Sequence, residues 1–195
     1  MAIDDTPSRR LSAEQRRESI VRAAGTVFGR TGYAGTTTDQ VARAAGISQP
    51  YVVRMFGSKE ALFLEVLDRA EHELIATFRA ALAEAVEGPV EGPLGDAYIR
   101  LVEDDGIHLP LMHGFLEGED PVVGARARAG FLRIWRFLVD EAGLEPARAA
   151  EFLGRGMLIN VLLGLRMPGD PDPAAQGLVD EACGKDAPFV REHAG

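Results

Sequence analysis

The side chains best able to do chemistry gather in two places. The first is Glu103, Asp104, Asp105, His108, His113 and Glu117. His113 and Glu117 stand four apart, a spacing that puts both on one helix face, where they could share a metal. The run Glu103–Asp104–Asp105 would suit a magnesium-bound diphosphate. Neither reading gathers support. No H-E-x-x-H occurs, no second aspartate-rich motif follows, and the acids end at an Asp105–Gly106 break. G-x-S-x-G and a glycine-rich phosphate loop are absent too. Solvated carboxylates and pocket or surface histidines account for the cluster. No metal, no cofactor and no enzymatic activity are expected. An all-α enzyme working through Glu103, Asp104, Asp105 and His108 stands as the alternative.

The second place is Gln49, Pro50, Tyr51 and Arg54. An amide, a phenol and a guanidinium suit recognition rather than catalysis, and a guanidinium pairs well with guanine O6 and N7. They lie in the stretch from Thr36 to Leu62, TTTDQVARAAGISQPYVVRMFGSKEAL. Thr37 is a good N-cap, and Gln40 completes a capping box. Val41, Ala42 and Ala45 give a short helix, and Gly46 supplies a sharp turn with positive φ. Ile47 is the buried link and Ser48 the next N-cap. Val52 and Phe56, at i and i+4, face inward. Gln49, Pro50, Tyr51 and Arg54 are left pointing outward. The arrangement is a helix-turn-helix, whose second helix can enter a DNA major groove.

The stretch resembles the DNA-binding domain of the TetR family of transcriptional regulators. Thr37, Val41, Ala42, Ala45, Gly46, Ile47, Ser48, Phe56, Ser58, Lys59, Glu60 and Leu62 carry the resemblance. Three positions depart from it. Val53 stands where the family commonly has a phosphate-contacting tyrosine, Met55 where an aromatic is frequent, and Gly57 where proline is common. The resemblance implies an operator-binding homodimer. Gln49, Tyr51 and Arg54 then reach bases, with Pro50 on the same outward face, while Thr37, Ser48 and Lys59 hold phosphates. Arg9 and Arg10 could reach the backbone or minor groove from an N-terminal arm.

Charge distribution agrees. The net charge of -9 argues against nucleic acid at first sight. Yet residues 1–60 hold 9 Lys+Arg against 6 Asp+Glu, and the rest hold 12 against 24. A basic head on an acidic body favours phosphate contact at one end only. The single Cys183 excludes an intramolecular disulfide. No apolar run reaches the roughly 20 residues that span a bilayer, and MAIDDTPSRR does not read as a signal peptide. A cytoplasmic protein without membrane attachment is expected.

Helical spacing runs throughout, and no segment alternates with period two, so the fold is expected to be all-α. Ser12 and Gln15 open a helix from Ala13 to about Thr31. Ser58 opens a long one to about Val86, spanning about 40 Å and linking head to body. Helices follow over about Leu94–Asp104, Asp120–Ala142, Pro146–Met167 and Ala174–Cys183, with a short apolar segment at Ile107–Leu116. In the Asp120–Ala142 helix Pro121 is expected in the first turn. Residues 1–57 are expected to form the arm and DNA-binding domain, and residues 58–195 a helical effector-binding and dimerisation domain.

The body offers the make-up of a small-molecule cavity. Phe78, His108, Met112 and His113 supply part of its lining, and Phe115, Phe131, Trp135 and Asn160 the rest. A mostly apolar effector is expected, and the acidic body mildly favours a cationic one. The stretch GMLINVLLGL, Gly156 to Leu165, is apolar nearly all round. Such a helix is buried, and in a chain this small a second subunit is expected to cover one face. The whole reads as a homodimeric repressor released from its operator by a ligand. A helical adaptor that binds only protein is a further alternative, told apart by the absence of salt-dependent DNA binding.

Overall fold

The computed structural model describes residues 12–85, 88–105 and 107–184. Arg9, Arg10 and the side chains of Glu103, Asp104 and Asp105 lie outside what it describes. Among the described residues the chain is all-α, with no strand. The helices are α1 (Ala13–Gly35), α2 (Thr38–Ala44), α3 (Gln49–Phe56), α4 (Lys59–Glu84), α5 (Glu91–Asp105), α6 (His108–Leu116), α7 (Val123–Arg136), α8 (Pro146–Gly164) and α9 (Pro173–Cys183).

Local chemistry sets the starts. Ser12 and Gln15 form a reciprocal capping box at α1, and Thr37 and Gln40 form one at α2. The Ser58 hydroxyl accepts the Ala61 N–H at 3.0 Å and opens α4. Gly32 breaks α1 with φ 71°.

Two expected features of α7 are corrected. The helix begins at Val123, so Asp120 and Pro121 precede it. The Asp120 carboxylate folds back to accept the Val122 and Val123 N–H groups at 2.8 and 2.7 Å. That turn caps the helix and holds Pro121 outside it. At the other end the α-helix gives way to a π-helical turn, Phe137–Glu141. The extra residue in the turn lets the adjacent Phe137 and Leu138 both face the core.

Three apolar clusters result. The first joins α1, α2, α3 and the first half of α4 through Phe28, Val41, Val52, Phe56 and Phe63. It takes in α4 as far as Leu67, so head packing runs past residue 57. The second joins the rest of α4 to α5, α7 and α8 through Phe78, Leu94, Ile134, Phe137 and Ala149. The third packs α5, α8 and α9 through Ile99, Ile159, Leu162 and Val179.

An ion cluster locks α4 to α7. Glu71 lies on the buried stripe of α4 and accepts from Arg126 at 2.8 Å and from Arg133 at 2.6 Å. Arg126 also pairs with Asp68. Gly130 makes room, since a Cβ there would lie 2.7 Å from Glu71 Oε2. Burial pushes the Glu71 carboxyl up, but hydrogen bonds from Arg133 and Arg126 outweigh it and hold the group below its usual range. Helix α6 bridges head and body, with Leu109 and His113 against Gly29 and Gly32 of α1.

Candidate functional site

The turn between α2 and α3 is built by hydrogen bonds that demand glycine. The Gly46 N–H donates to the Arg43 carbonyl and the Ile47 N–H to the Ala42 carbonyl, at 3.2 and 3.0 Å. This double closure is a Schellman motif, and Gly46 supplies its φ of 66°. Ile47, expected to be buried, is half-buried. The Gln49 side chain donates to Thr38 Oγ1 at 3.1 Å and ties the start of α3 to α2.

Val52 and Phe56 turn inward, 1% and 7% exposed, while Gln49, Pro50 and Arg54 are exposed. Tyr51 is half-buried, with the Arg16 guanidinium 5.7 Å from its ring centre and that of Arg54 at 5.0 Å. This stacking restrains Arg54 on the outer surface. Arg16 brings a second cation to that surface; its value was not legible in sequence, because nothing local links α1 to α3.

The three residues expected to hold phosphate differ in their commitments. Thr37 is exposed but its hydroxyl accepts the Gln40 N–H at 3.2 Å. Ser48 occupies the N-cap position of α3 without making the expected capping hydrogen bond, which leaves its hydroxyl outside that helix's own bonding. Lys59 donates to the Tyr33 and Ala34 carbonyls at 2.9 and 3.4 Å and lies 4.6 Å from the Tyr33 ring centre. It clamps the end of α1, a structural tie that motif position alone did not reveal.

Gly57, which replaces a common proline, has φ 81°, and its N–H donates to the Val53 carbonyl at 2.8 Å. Proline can supply neither. Val53 is 39% exposed on the outer side of α3. Met55 is half-buried, and its carbonyl accepts from Arg17 at 3.3 Å.

The body holds a cavity of about 320 Å³ that opens to solvent on one side. Leu74 and Phe78 of α4, Leu111 and Phe115 of α6, and Phe131 and Ile134 of α7 form apolar walls. Tyr98, Phe152, Asn160 and Cys183 form others, and the rim between α5 and α8 carries Glu91, Asp96, Arg148, Glu151 and Arg155. Of the residues expected to line it, Phe78, Phe115, Phe131 and Asn160 do. His108, Met112, His113 and Trp135 are not among its walls. His113 instead lies at the α1 junction, its Nε2 3.3 Å from the Gly29 carbonyl. His108 is 7% exposed, its Nδ1 has no partner among the described residues, and burial pushes its pKa down to about 4, so it is neutral at pH 7. Trp135 packs beside the second core, and Met112 is half-buried. Cys183 is buried, and burial pushes its thiol up to about 11, which makes it unreactive.

Known proteins are similar in the same places. The model for bacterial regulatory proteins of the tetR family matches residues 20–66, which cover the helix-turn-helix and its supporting core. The transcriptional activator FasR of Mycolicibacterium smegmatis is 28% identical, over 90% of this chain and 84% of its own. The transcriptional repressor NicS of Pseudomonas putida is 35% identical over 40% of this chain and 35% of its own. The structure of a TetR-like regulator from Rhodococcus sp. RHA1 superposes with a TM-score of 0.63 at 18% identity, covering 89% of this chain and 96% of that one. No described helix is long and apolar enough to cross a membrane. The matched span lies within the α1–α4 head, so the head is a DNA-binding domain of the tetR-family kind, and the fold beyond it is that of TetR-like regulators.

Proposed function

We propose that the protein is a cytoplasmic homodimer that binds a palindromic operator and represses transcription until a small, mostly apolar molecule enters the body. The outer face of α3 carries this reading. Its inner face is spent on the core, while Gln49, Pro50 and Arg54 stay exposed beside the Arg16–Tyr51–Arg54 stack. One recognition helix buries too little for tight specific binding, so a two-fold pair on successive major grooves about 34 Å apart is required. The pairing surface on this reading is the outer face of α8 and its C-cap, where Leu158, Val161 and Leu165 are 37%, 46% and 65% exposed. The division of labour proposed is a head of residues 1–57 and a body of residues 58–195.

Ligand control rests on α4, whose Ser58–Lys59 end adjoins α3 and whose Leu74 and Phe78 line the cavity. A ligand that tilts α4 changes the spacing of the two heads. Ligand and DNA then alter each other's affinity by equal factors. One observation favours a second reading, activation: the relative similar over most of this chain, FasR, is named an activator.

Selection of genomic fragments by the purified protein, followed by sequencing, tests the proposal. A palindromic site should emerge. Arg54→Ala should cost about 1–3 kcal/mol of base discrimination per half-site. Unchanged affinity and base preference in Arg54→Ala would refute the assignment of α3.

A further inference from the structure

Away from its charged rim the cavity wall is apolar except where Tyr98 and Asn160 meet. Asn160 is 8% exposed and on the cavity wall. Its Oδ1 accepts the Tyr98 hydroxyl at 2.5 Å. Its Nδ2 has, among the described residues, only the Met157 sulfur at 4.0 Å. The amide orientation follows from these neighbours. The phenol needs an acceptor, and a thioether is a better neighbour for N–H than for a second lone pair. Asn160 lines the cavity, and among the described residues its amide hydrogens have no adequate acceptor. Leaving a buried donor unmatched carries a desolvation penalty, which a ligand acceptor would remove.

Charge narrows the class. The guanidinium of Arg148 donates to Glu91 at 2.6 Å, and that of Arg155 to the Ala182 carbonyl at 2.7 Å. Both line the rim, as do the carboxylates of Asp96 and Glu151. An anion would find guanidiniums only at the rim, where Arg148 is paired with Glu91 and Arg155 is held by the Ala182 and Glu181 carbonyls. A cation would meet Phe78, Phe115 and Phe131 without a carboxylate among them. Burying either charge unpaired is expensive.

We propose that the cavity takes a neutral, largely apolar molecule with one carbonyl oxygen, received by the Asn160 amide that Tyr98 orients. This rests on the reading of the protein as a ligand-controlled regulator, and it names the ligand class of that site. At about 320 Å³ the cavity is at the small end for ligand sites, so the molecule is compact.

Four matched probes test the class on the full chain without DNA. They are 1-phenyl-1-butanone, its carbonyl-free counterpart butylbenzene, 4-phenylbutyrate and 4-phenylbutylammonium. Affinities are read by ligand-observed NMR titration. The ketone should bind about tenfold more tightly than the hydrocarbon, the value of one well-made hydrogen bond, and more tightly than either ion. Asn160→Leu, which keeps the shape and removes the donor, should bring ketone and hydrocarbon to equal affinity. Tyr98→Phe, which frees the amide to rotate, should reduce the ratio at least threefold, and it carries the test should Asn160→Leu lose its helical signal. Equal binding of ketone and hydrocarbon, preference for either ion, survival of the ratio in the variants, or no binding by any probe overturns the proposal. Operator binding by the same preparation reports separately on the regulator reading. Selective ketone binding that leaves DNA affinity unmoved would sink the ligand switch and leave this assignment standing.

Discussion

Replacing Glu71 by glutamine removes one charge from the centre of the α4–α7 lock while keeping its volume. Glu71 is 3% exposed and takes donors from two arginines. Removing one partner of a buried pair costs about 3–5 kcal/mol, because the remaining charge stays buried and unpaired. Here both arginines find relief. Arg126 keeps Asp68, and the Arg133 side chain is 43% exposed and can rehydrate. The loss should therefore fall below that range, at about 2–3 kcal/mol. In a chain of this size each kcal/mol moves Tm by about 2–4 °C, so the variant should melt about 4–12 °C lower. The sign with pH follows from the depressed carboxyl. Its folded pKa lies below its ordinary value of 4.5, so its stabilisation is full above that value and fades as pH falls through the folded one. The gap between wild type and variant should be complete at pH 7 and shrink below pH 4.5. Circular-dichroism melts at one fixed protein concentration read both effects, since dimerisation would otherwise add a concentration term. A shift below about 2 °C, equivalent to less than about 1 kcal/mol, or a gap unchanged between neutral and acid pH, would refute the reasoning.

Two other substitutions probe the head and the proposed pairing surface. Gly57→Pro, toward the residue common in the family, should destabilise the head by about 3 kcal/mol or more, since it cannot adopt φ 81° or donate to Val53; a melt equal to wild type would contradict this. Leu165→Arg, at a side chain 65% exposed in the single chain, should give folded monomers by light scattering, and a wild-type monomer at micromolar concentration would end the dimer reading. Leu162 is unsuitable for that test, because it is 1% exposed within the chain's own core.

The helix-turn-helix was legible because its signals are local. Each capping box spans four residues, and Gly46 answers for its own turn. The body was legible as helices but not as a site. Leu111 and Phe115 of α6 face the cavity, whereas Leu109 and His113, also four apart, face α1. A nine-residue helix with mixed apolar and histidine positions does not say which face meets which neighbour. Glu71 carried a readable sign, a carboxylate within the stripe of Leu67, Ala70, Leu74 and Phe78. Its partners lie on α7, far along the chain, so their identity needed the fold. Lys59 was assigned by motif position, and its attachment to Tyr33 depends on how α1 ends at the Gly32 break.

Two helices belong to both cavity and head, and they differ in how they can pass on a displacement. Helix α4 contributes Leu62, Phe63, Val66 and Leu67 to the first core and Leu74 and Phe78 to the cavity wall. It can tilt as a lever, with the Glu71 cluster holding it against α7 midway along its length. Helix α6 is short and closely approached on two sides. A Cβ at Gly29 would lie 3.0 Å from Leu109 Cβ, and one at Gly114 would lie 2.9 Å from Leu67 Cδ2. Contacts that close leave little free space to absorb a shift, because packed interiors resist compression. On the proposed switch, a ligand pressing on Phe115 would therefore reach α1 through His113 as directly as it reaches α3 through α4. The head would be moved from two supports rather than one, and the two need not move it the same way. The balance between them would decide whether a ligand weakens operator binding, as in a repressor, or strengthens it, as in an activator.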